Sequence, residues 1–81
     1  MTKKDILDRI EINPKICHGK PVIRNTRIPV SLILGFLASA ESVEEILNEY
    51  PSLTRDDITA AIGFGSYLAG FESLTYETLA S

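Results

Sequence analysis

Residues 42–62 read SVEEILNEYPSLTRDDITAAI, and this stretch predicts two helices joined by a short turn. Ser42 and Thr54 each stand three residues before an acidic residue, the spacing of a capping box that satisfies free N–H groups where a helix begins. Pro51 cannot continue a helix, so the first helix is expected to end just before it. Two helices with so short a connection have the outline of a helix-turn-helix, which we expect over residues 42–70.

Apolar residues in these two helices recur at helical spacing. The first helix has them at i, i+3, i+4 and i+7, which places them on one face: Val43, Ile46, Leu47 and Tyr50. The second helix is expected to continue to about Gly70. Gly63 and Gly65 lie inside it, and because glycine weakens a helix, they indicate close approach of another backbone.

Residues 31–40 predict one more helix, with Ser31 as its N-cap and apolar side chains over most of its circumference. Such a helix belongs in the centre of a core or against a second subunit. A chain of 81 residues buries only roughly 60 to 65% of its unfolded surface, so a second subunit would add needed burial. We therefore expect a homodimer with an interface on this helix at Leu32, Ile33, Phe36 and Leu37.

Before these helices, the sequence has β character. The segment RIEIN, residues 9–13, alternates apolar and polar residues and predicts a short strand, after a start that fits either a short helix or an arm. Residues 20–30 predict a β-hairpin around RNTR, where Asn25 tolerates the left-handed backbone of a tight turn. The expected fold is one mainly α domain, residues 1–81, with a short N-terminal β-ribbon before a three-helix, winged-helix-like core. Residues 1–30 form the arm and hairpin, 31–70 the core and 71–81 a tail.

Charge is distributed unevenly along the chain, whose net charge is −3. Residues 1–30 hold seven of the eight basic residues, whereas residues 31–81 hold Arg55 and eight acidic residues. An anionic partner such as DNA is therefore expected to meet the first segment. The candidate DNA-binding residues are Lys20, Arg24 and Arg27 in the ribbon and Arg55 in the helix-turn-helix, although salt bridges within the fold explain these charges equally well.

The single cysteine and the single histidine are neighbours, Cys17 and His18. Adjacent residues of an extended segment point to opposite faces, which disfavours a catalytic pair. A tetrahedral zinc site would need further ligands that this segment does not offer. No catalytic residue, metal or cofactor is expected, and the chain is not expected to be an enzyme. Because residues 30–40 are too short to span a membrane and one cysteine forms no internal disulfide, we expect a cytoplasmic protein without membrane contact.

The segment NPKICHGKPVIRNTRIPV, residues 13–30, together with residues 42–62, resembles the prokaryotic domain-of-unknown-function family 433. The resemblance covers roughly residues 10–70 and implies a homeodomain-like helix-turn-helix. It also implies that the protein acts as a VapB-type antitoxin, a class of protein that is encoded beside PIN-like nuclease toxins. Two positions depart from the family pattern, since His18 and Asn25 stand where glycine is common; Asn25 is a sensible replacement if its position needs a positive φ.

The leading hypothesis is a dimeric antitoxin that binds a PIN-like nuclease and its own promoter DNA. Contact with the nuclease is expected from the acidic helices and from Phe71, Leu74 and Tyr76 in the tail. Two alternatives stay open. One is a stand-alone helix-turn-helix regulator that binds DNA without a toxin partner, and the other is a structural or adaptor dimer that does not bind DNA.

Overall fold

The computed structural model of the protein describes residues 1–70, which form four helices and one short two-stranded antiparallel sheet. In chain order these elements are α1 (Lys3–Asp8), β1 (Ile10–Glu11), β2 (Val22–Ile23), α2 (Val30–Ala38), α3 (Val43–Glu49) and α4 (Arg55–Leu68). The protein is therefore mainly helical, with its sheet near the N-terminus, as the sequence predicts. The predicted tail, residues 71–81, lies outside the described residues.

Capping boxes begin three of the helices. The predicted boxes of α3 and α4 are both present: the Ser42 and Thr54 side chains accept from the N–H groups of Glu45 and Asp57, whose carboxylates accept in return. Thr2 and Asp5 make the same reciprocal pair at α1, so the start of the chain is a short helix rather than an arm. Each box satisfies two N–H groups that a helix start otherwise leaves free.

Helix α2 begins without a side-chain cap, so the predicted role of Ser31 is wrong. The N-cap position is Pro29, and Ser31 is the second helical residue. The Val30 N–H donates instead to the Pro21 carbonyl at 2.9 Å, so the preceding loop satisfies a free group of the helix start. Because the ring of Pro29 fixes φ near −66°, the chain enters α2 with little freedom.

The sheet joins the start of the chain to the segment predicted as a hairpin. Ile10 pairs with Ile23 and Glu11 with Val22, so β2 pairs with β1 and not chiefly with residues 28–30. The predicted hairpin is reduced to one bridge between Val22 and Pro29, flanked by two backbone hydrogen bonds, from the Ile23 N–H to the Ile28 carbonyl and from the Val30 N–H to the Pro21 carbonyl. Proline at position 29 has no N–H, so the ladder on that side ends there.

The core lies where α4 contacts both α1 and α2. Ile33 and Ile46 are fully buried there, and Ile23 and Ile58 almost so. The glycines of α4 leave room for side chains of the neighbouring helices. The sequence had predicted the close approach of another backbone instead. A Cβ at Gly63 would lie 2.5 Å from Ile6 Cδ1 of α1, and a Cβ at Gly65 would lie 2.8 Å from Leu34 Cδ1 of α2.

Gly35 offers a contrasting position for substitution. It lies in the exposed face of α2, and a Cβ there would meet no atom within 4 Å. Gly35→Ala is therefore expected to raise the free energy of unfolding by about 0.5–1 kcal/mol, because alanine loses less backbone entropy in a helix. Urea denaturation followed by circular dichroism measures the gain. The matched Gly63→Ala variant should lack it, since Ile6 is buried and must shift; equal gains at both positions would contradict this packing.

Candidate functional site

The cationic side chains predicted to bind DNA occupy different environments. Residues 12–40 contain no acidic residue, and the four cationic residues within them, Lys15, Lys20, Arg24 and Arg27, are all exposed. We call residues 13–29 the basic loop. Arg27 shares a concave surface with Glu11 of β1, and Arg24 shares another with Asp8 and Asp57, so carboxylates border this loop on the side of α1 and β1. Lys15 was not predicted from sequence as a DNA-binding residue. The absence of acidic residues around it in the sequence is the signal that could have identified it.

Arg24 differs from the other cationic residues of this loop because its guanidinium group forms hydrogen bonds with main-chain carbonyls. Its Nε donates to the Asp8 carbonyl at 2.7 Å and its Nη2 donates to the Ile10 carbonyl at 2.9 Å. The Arg24 N–H also donates to the Arg9 carbonyl at 2.8 Å. These bonds connect the residue after β2 to the end of α1 and to β1. Arg24 and Arg27 therefore do not form the pair of free cations that the predicted hairpin tip would present.

Arg55 stands at the first position of α4 and forms an ion pair with Glu44 of α3. The hydrogen bond from Arg55 holds the pKa of Glu44 below its ordinary value of 4.5. Both side chains are largely exposed, so the pair adds little stability. The two residues that follow Arg55 are acidic, and the start of α4 is therefore a predominantly negative surface.

A second arginine, Arg9, connects the N-terminal segment to this negative surface. Its Nη1 donates to Asp57 Oδ1 at 3.0 Å, and its Nη2 lies 3.5 Å from Asp56 Oδ2. Asp57 is 8% exposed and also accepts the Thr54 N–H at 3.0 Å through Oδ2. One buried carboxylate thus caps α4 and holds the residue between α1 and β1.

The segment around Cys17 adopts a left-handed turn. Cys17, His18 and Gly19 have φ values of 49°, 56° and 80°, and Asn25 has a φ of 66°. The two positions where the resemblance led us to expect glycine thus both have left-handed backbone, which asparagine and histidine adopt more readily than most residues. Cys17 Sγ lies 3.5 Å from the Arg27 carbonyl and His18 is exposed. The contact with the Arg27 carbonyl indicates that Cys17 supports the fold of this turn.

The predicted interface on α2 divides between core and surface. Ile33 is fully buried inside the chain, whereas Leu32 is 36% exposed. Phe36 and Leu37 are half-buried, and the Phe36 ring lies 5.9 Å from the Tyr50 ring between centroids. Leu32 is therefore the residue of this group most available to a second subunit, while Ile33 is occupied by the core. The other predicted interface residues, Phe71, Leu74 and Tyr76, lie outside the described residues.

An apolar groove of about 230 Å³ lies between the start of α2 and the end of α4. It is lined by Lys20, Pro21, Val30, Ser31, Leu34 and Leu68. Leu68 is 69% exposed, the largest exposure among the large hydrophobic residues of the described chain. This groove could not be predicted from sequence, because its lining comes from three separate segments.

Glu41, just before α3, belongs to a cluster of carboxyl groups. Desolvation, followed by the nearby negative charges of Glu49 and Glu45, raises the pKa of Glu41 above its ordinary value of 4.5. A raised pKa means that the folded state binds this proton more tightly than the unfolded state does. The ionised carboxyl therefore opposes folding at neutral pH, and its protonation relieves that effect as the pH falls.

Glu41→Gln is consequently expected to cause a small rise in melting temperature at pH 7, because glutamine removes the repelled charge. Thermal unfolding followed by circular dichroism at several pH values measures the rise. The advantage over the unmodified chain should shrink as the pH falls through the titration of Glu41. A gain that is equally large at pH 3 would show that charge repulsion is not its cause.

Two further features of the described residues bear on function. Residues 1–70 contain no group of three or more histidine, cysteine or acidic side chains arranged to hold a metal ion. Within the same residues, no helix has both the length and the apolar character required to cross a bilayer.

The elements and surfaces described above define a small, mainly helical domain with an N-terminal two-stranded sheet, a basic loop and an acidic helix pair. The chain belongs to the family described as "Protein of unknown function (DUF433)", whose model matches residues 10–64. The match includes β1, the basic loop, α2, α3 and most of α4.

The chain is similar to two known proteins, and the first of them is a member of the same family. The chain is 36% identical to a DUF433 member protein from Anabaena variabilis ATCC 29413, whose crystal structure superposes with a TM-score of 0.68 and covers 75% of this chain and 60% of that one. It is also 41% identical over 49 residues to the uncharacterized protein y4eO of Sinorhizobium fredii (strain NBRC 101917 / NGR234), matching 60% of this chain. This chain spans 22% of the length of that protein.

Proposed function

We propose that this chain is a non-enzymatic antitoxin-type protein that binds a PIN-like nuclease and covers its active site. The exposed acidic surface of α3 and α4 supports this role, with Glu44, Glu45, Glu49 and Asp56 all exposed. A nuclease that holds a phosphate backbone needs positive potential along its substrate channel. Exposed carboxylates on two rigid helices complement such a channel.

The helix-turn-helix is part of this proposal, formed by α3, the turn at residues 50–54 and α4. In this arrangement α4 occupies the position of a recognition helix. Asp56 in its first turn is exposed and would meet the phosphates of a duplex, while the nearby cations are already paired, Arg9 with Asp56 and Asp57 and Arg55 with Glu44. The same carboxylates favour a basic protein partner, so we assign this face to the nuclease.

Promoter binding is the second part of the proposal and uses the basic loop. Lys15, Lys20 and Arg27 have exposed side chains in a stretch without acidic residues, which suits contact with phosphates. The same observation favours the alternative function, a stand-alone regulator that binds DNA without a toxin partner. The antitoxin and the stand-alone regulator differ in one property: only the antitoxin has a nuclease partner that it inhibits.

A homodimer is proposed on the exposed side of α2. This helix carries no charged residue, and Leu32 contributes apolar surface there. Sedimentation of the purified chain at micromolar concentration should give the mass of two chains, and Leu32→Lys should give that of one. A stable monomer of the unmodified chain at this concentration would exclude the dimer.

Nuclease inhibition tests the antitoxin role directly. The chain is purified and titrated into the PIN-like nuclease encoded beside it, with cleavage of a single-stranded RNA as the measurement. We expect stoichiometric inhibition. The Glu44→Lys, Glu49→Lys double variant should bind the nuclease at least about tenfold more weakly, since it reverses two exposed charges of the proposed contact. Lys15→Gln is the matched control and should inhibit as well as the unmodified chain.

Other outcomes overturn this proposal. Absence of inhibition, together with salt-dependent binding to one promoter, would establish the stand-alone regulator instead. Absence of both activities in a dimeric chain would leave the structural or adaptor role. Inhibition that is unaffected by the double charge reversal would move the nuclease contact away from α3.

A further inference from the structure

The apolar groove between α2 and α4 lies beside the point where the described chain ends. Leu68, which lines the groove, is the last residue of α4, and Gly70, two positions later, is the last residue that the structure describes. Leu34 supplies the opposite wall from α2. Eleven more residues follow Gly70 in the sequence, and they begin with phenylalanine.

Helix α4 ends with a glycine in the left-handed conformation. Ala69 is the C-cap, and Gly70 after it has a φ of 78°. The Gly70 N–H donates to the Tyr67 carbonyl at 3.0 Å. A left-handed glycine with this bond is half of a Schellman motif, in which the chain reverses and the following residue packs back over the last turns of the helix.

Helix α4 presents the groove at that last turn. In a Schellman motif the residue after the glycine contacts positions three and four residues before the C-cap, which here are Ser66 and Gly65. Gly65 is where α2 approaches most closely, because a Cβ there would lie 2.8 Å from Leu34 Cδ1. An apolar side chain delivered by this reversal would therefore meet the wall of the groove.

We propose that the groove is the docking site of the chain's own C-terminal tail, residues 71–81, with the Phe71 side chain against Leu34 and Leu68. Phenylalanine follows the left-handed glycine, and its ring supplies an apolar surface that can pack against the apolar lining of the groove. Eleven residues reach up to about 36–40 Å when extended, so the tail can cross a groove that begins two residues away.

Charge supports the same occupant. The tail contains Glu72 and Glu77 and no lysine or arginine, while the charged residue that lines the groove is Lys20. Attraction between Lys20 and the tail carboxylates adds to burial of the ring. This docking does not depend on the antitoxin role. It assigns Phe71 to the chain itself and leaves Leu74 and Tyr76 for the proposed nuclease contact.

Methyl NMR of the full 81-residue chain tests the docking. Nuclear Overhauser effects are expected between the Phe71 ring and the methyl groups of Leu34 and Leu68. Phe71→Ala should remove the ring-current shift of the Leu34 methyls, whereas Tyr76→Ala, the matched aromatic truncation, should leave them unchanged. Leu34 methyl shifts that do not respond to Phe71→Ala would overturn the proposal.

Thermal unfolding gives an independent readout. Phe71→Ala is expected to lower the melting temperature by about 4–8 °C, the shift that roughly 1 kcal/mol causes in a domain of this size. In a Leu34→Ala background the same substitution should cause a clearly smaller loss, because the two side chains share one contact. Additive losses would contradict the contact. In the Leu32→Lys variant, which removes the proposed dimer contact of α2, Leu34 methyl shifts that still depend on protein concentration would identify a second copy as the occupant and exclude the tail.

Discussion

Asp57→Ala is expected to lower the free energy of unfolding by about 2–4 kcal/mol, the largest effect among the substitutions considered. The reason is that Asp57 performs two tasks in a buried position. Its carboxylate accepts the Thr54 N–H at 3.0 Å at the start of α4, and it accepts from Arg9 Nη1 at 3.0 Å. Alanine leaves both donors without this acceptor, and Arg9 is only 38% exposed. Urea denaturation followed by circular dichroism measures the loss.

The neighbouring aspartate provides the control. Asp56 has a 66% exposed side chain, and its contact with Arg9 is 3.5 Å long. Asp56→Ala should therefore change stability by less than about 0.5 kcal/mol. Asp57→Asn separates the two tasks, since an amide oxygen can still accept at the cap but no longer pairs with a charge. Equal losses for Asp56→Ala and Asp57→Ala would contradict the assigned role.

Arg24→Ala is expected to lower the free energy of unfolding by about 1.5–3 kcal/mol. The substitution removes two charge-assisted hydrogen bonds, to the Asp8 carbonyl at 2.7 Å and to the Ile10 carbonyl at 2.9 Å. Lysine cannot replace it, because a single ammonium lacks the fork that reaches both carbonyls. Arg24 and Arg27 are both exposed, but the Arg27 guanidinium makes no hydrogen bond within residues 1–70, so Arg27→Ala should remain within about 0.5 kcal/mol. Equal stability of the two variants would argue against the structural role of Arg24.

This difference decides how DNA binding is measured. A double substitution of Arg24 and Arg27 would combine loss of structure with loss of contact. Single variants at Lys15, Lys20 and Arg27 should each reduce the salt dependence of binding by about 0.9 in log–log slope if each contacts a phosphate. The expected outcome for Arg24→Ala is weaker binding that recovers when the fold is stabilised by low temperature. An unchanged slope in all three surface variants would exclude the basic loop as the contact.

The helices were predictable from sequence because their start signals are local. The Ser42 and Thr54 boxes lie within four residues of chain, so α3 and α4 could be located without knowing their neighbours. Thr2 and Asp5 carry the same signal for α1, although the sequence analysis left a helix and an arm as alternatives. The start of α2 was misplaced, since a backbone bond from a distant loop, not a side chain, satisfies Val30.

Long-range contacts explain what the sequence did not predict. The pattern of residues 20–30 indicates β structure but does not reveal that Ile23 pairs with Ile10. Alternation of apolar and polar residues shows which face of a strand is buried, but it does not show which strand lies beside it. The role of Arg24 depends on carbonyls 14 and 16 residues away. The apolar groove likewise requires α2, α4 and Pro21 to meet. Each of these features depends on tertiary packing.

The contact between α1 and α4 has a consequence for synthesis of the chain on the ribosome. Helix α1 is made before α4, yet α4 supplies the residues that hold it in place. Asp57, which binds Arg9, and Gly63, which packs against Ile6, are made about fifty residues later. Until α4 emerges, Ile6 and Ile10 have no helix to cover them. Folding is therefore expected to finish after translation of α4, and a ribosome stalled before residue 55 should carry a protease-sensitive nascent chain.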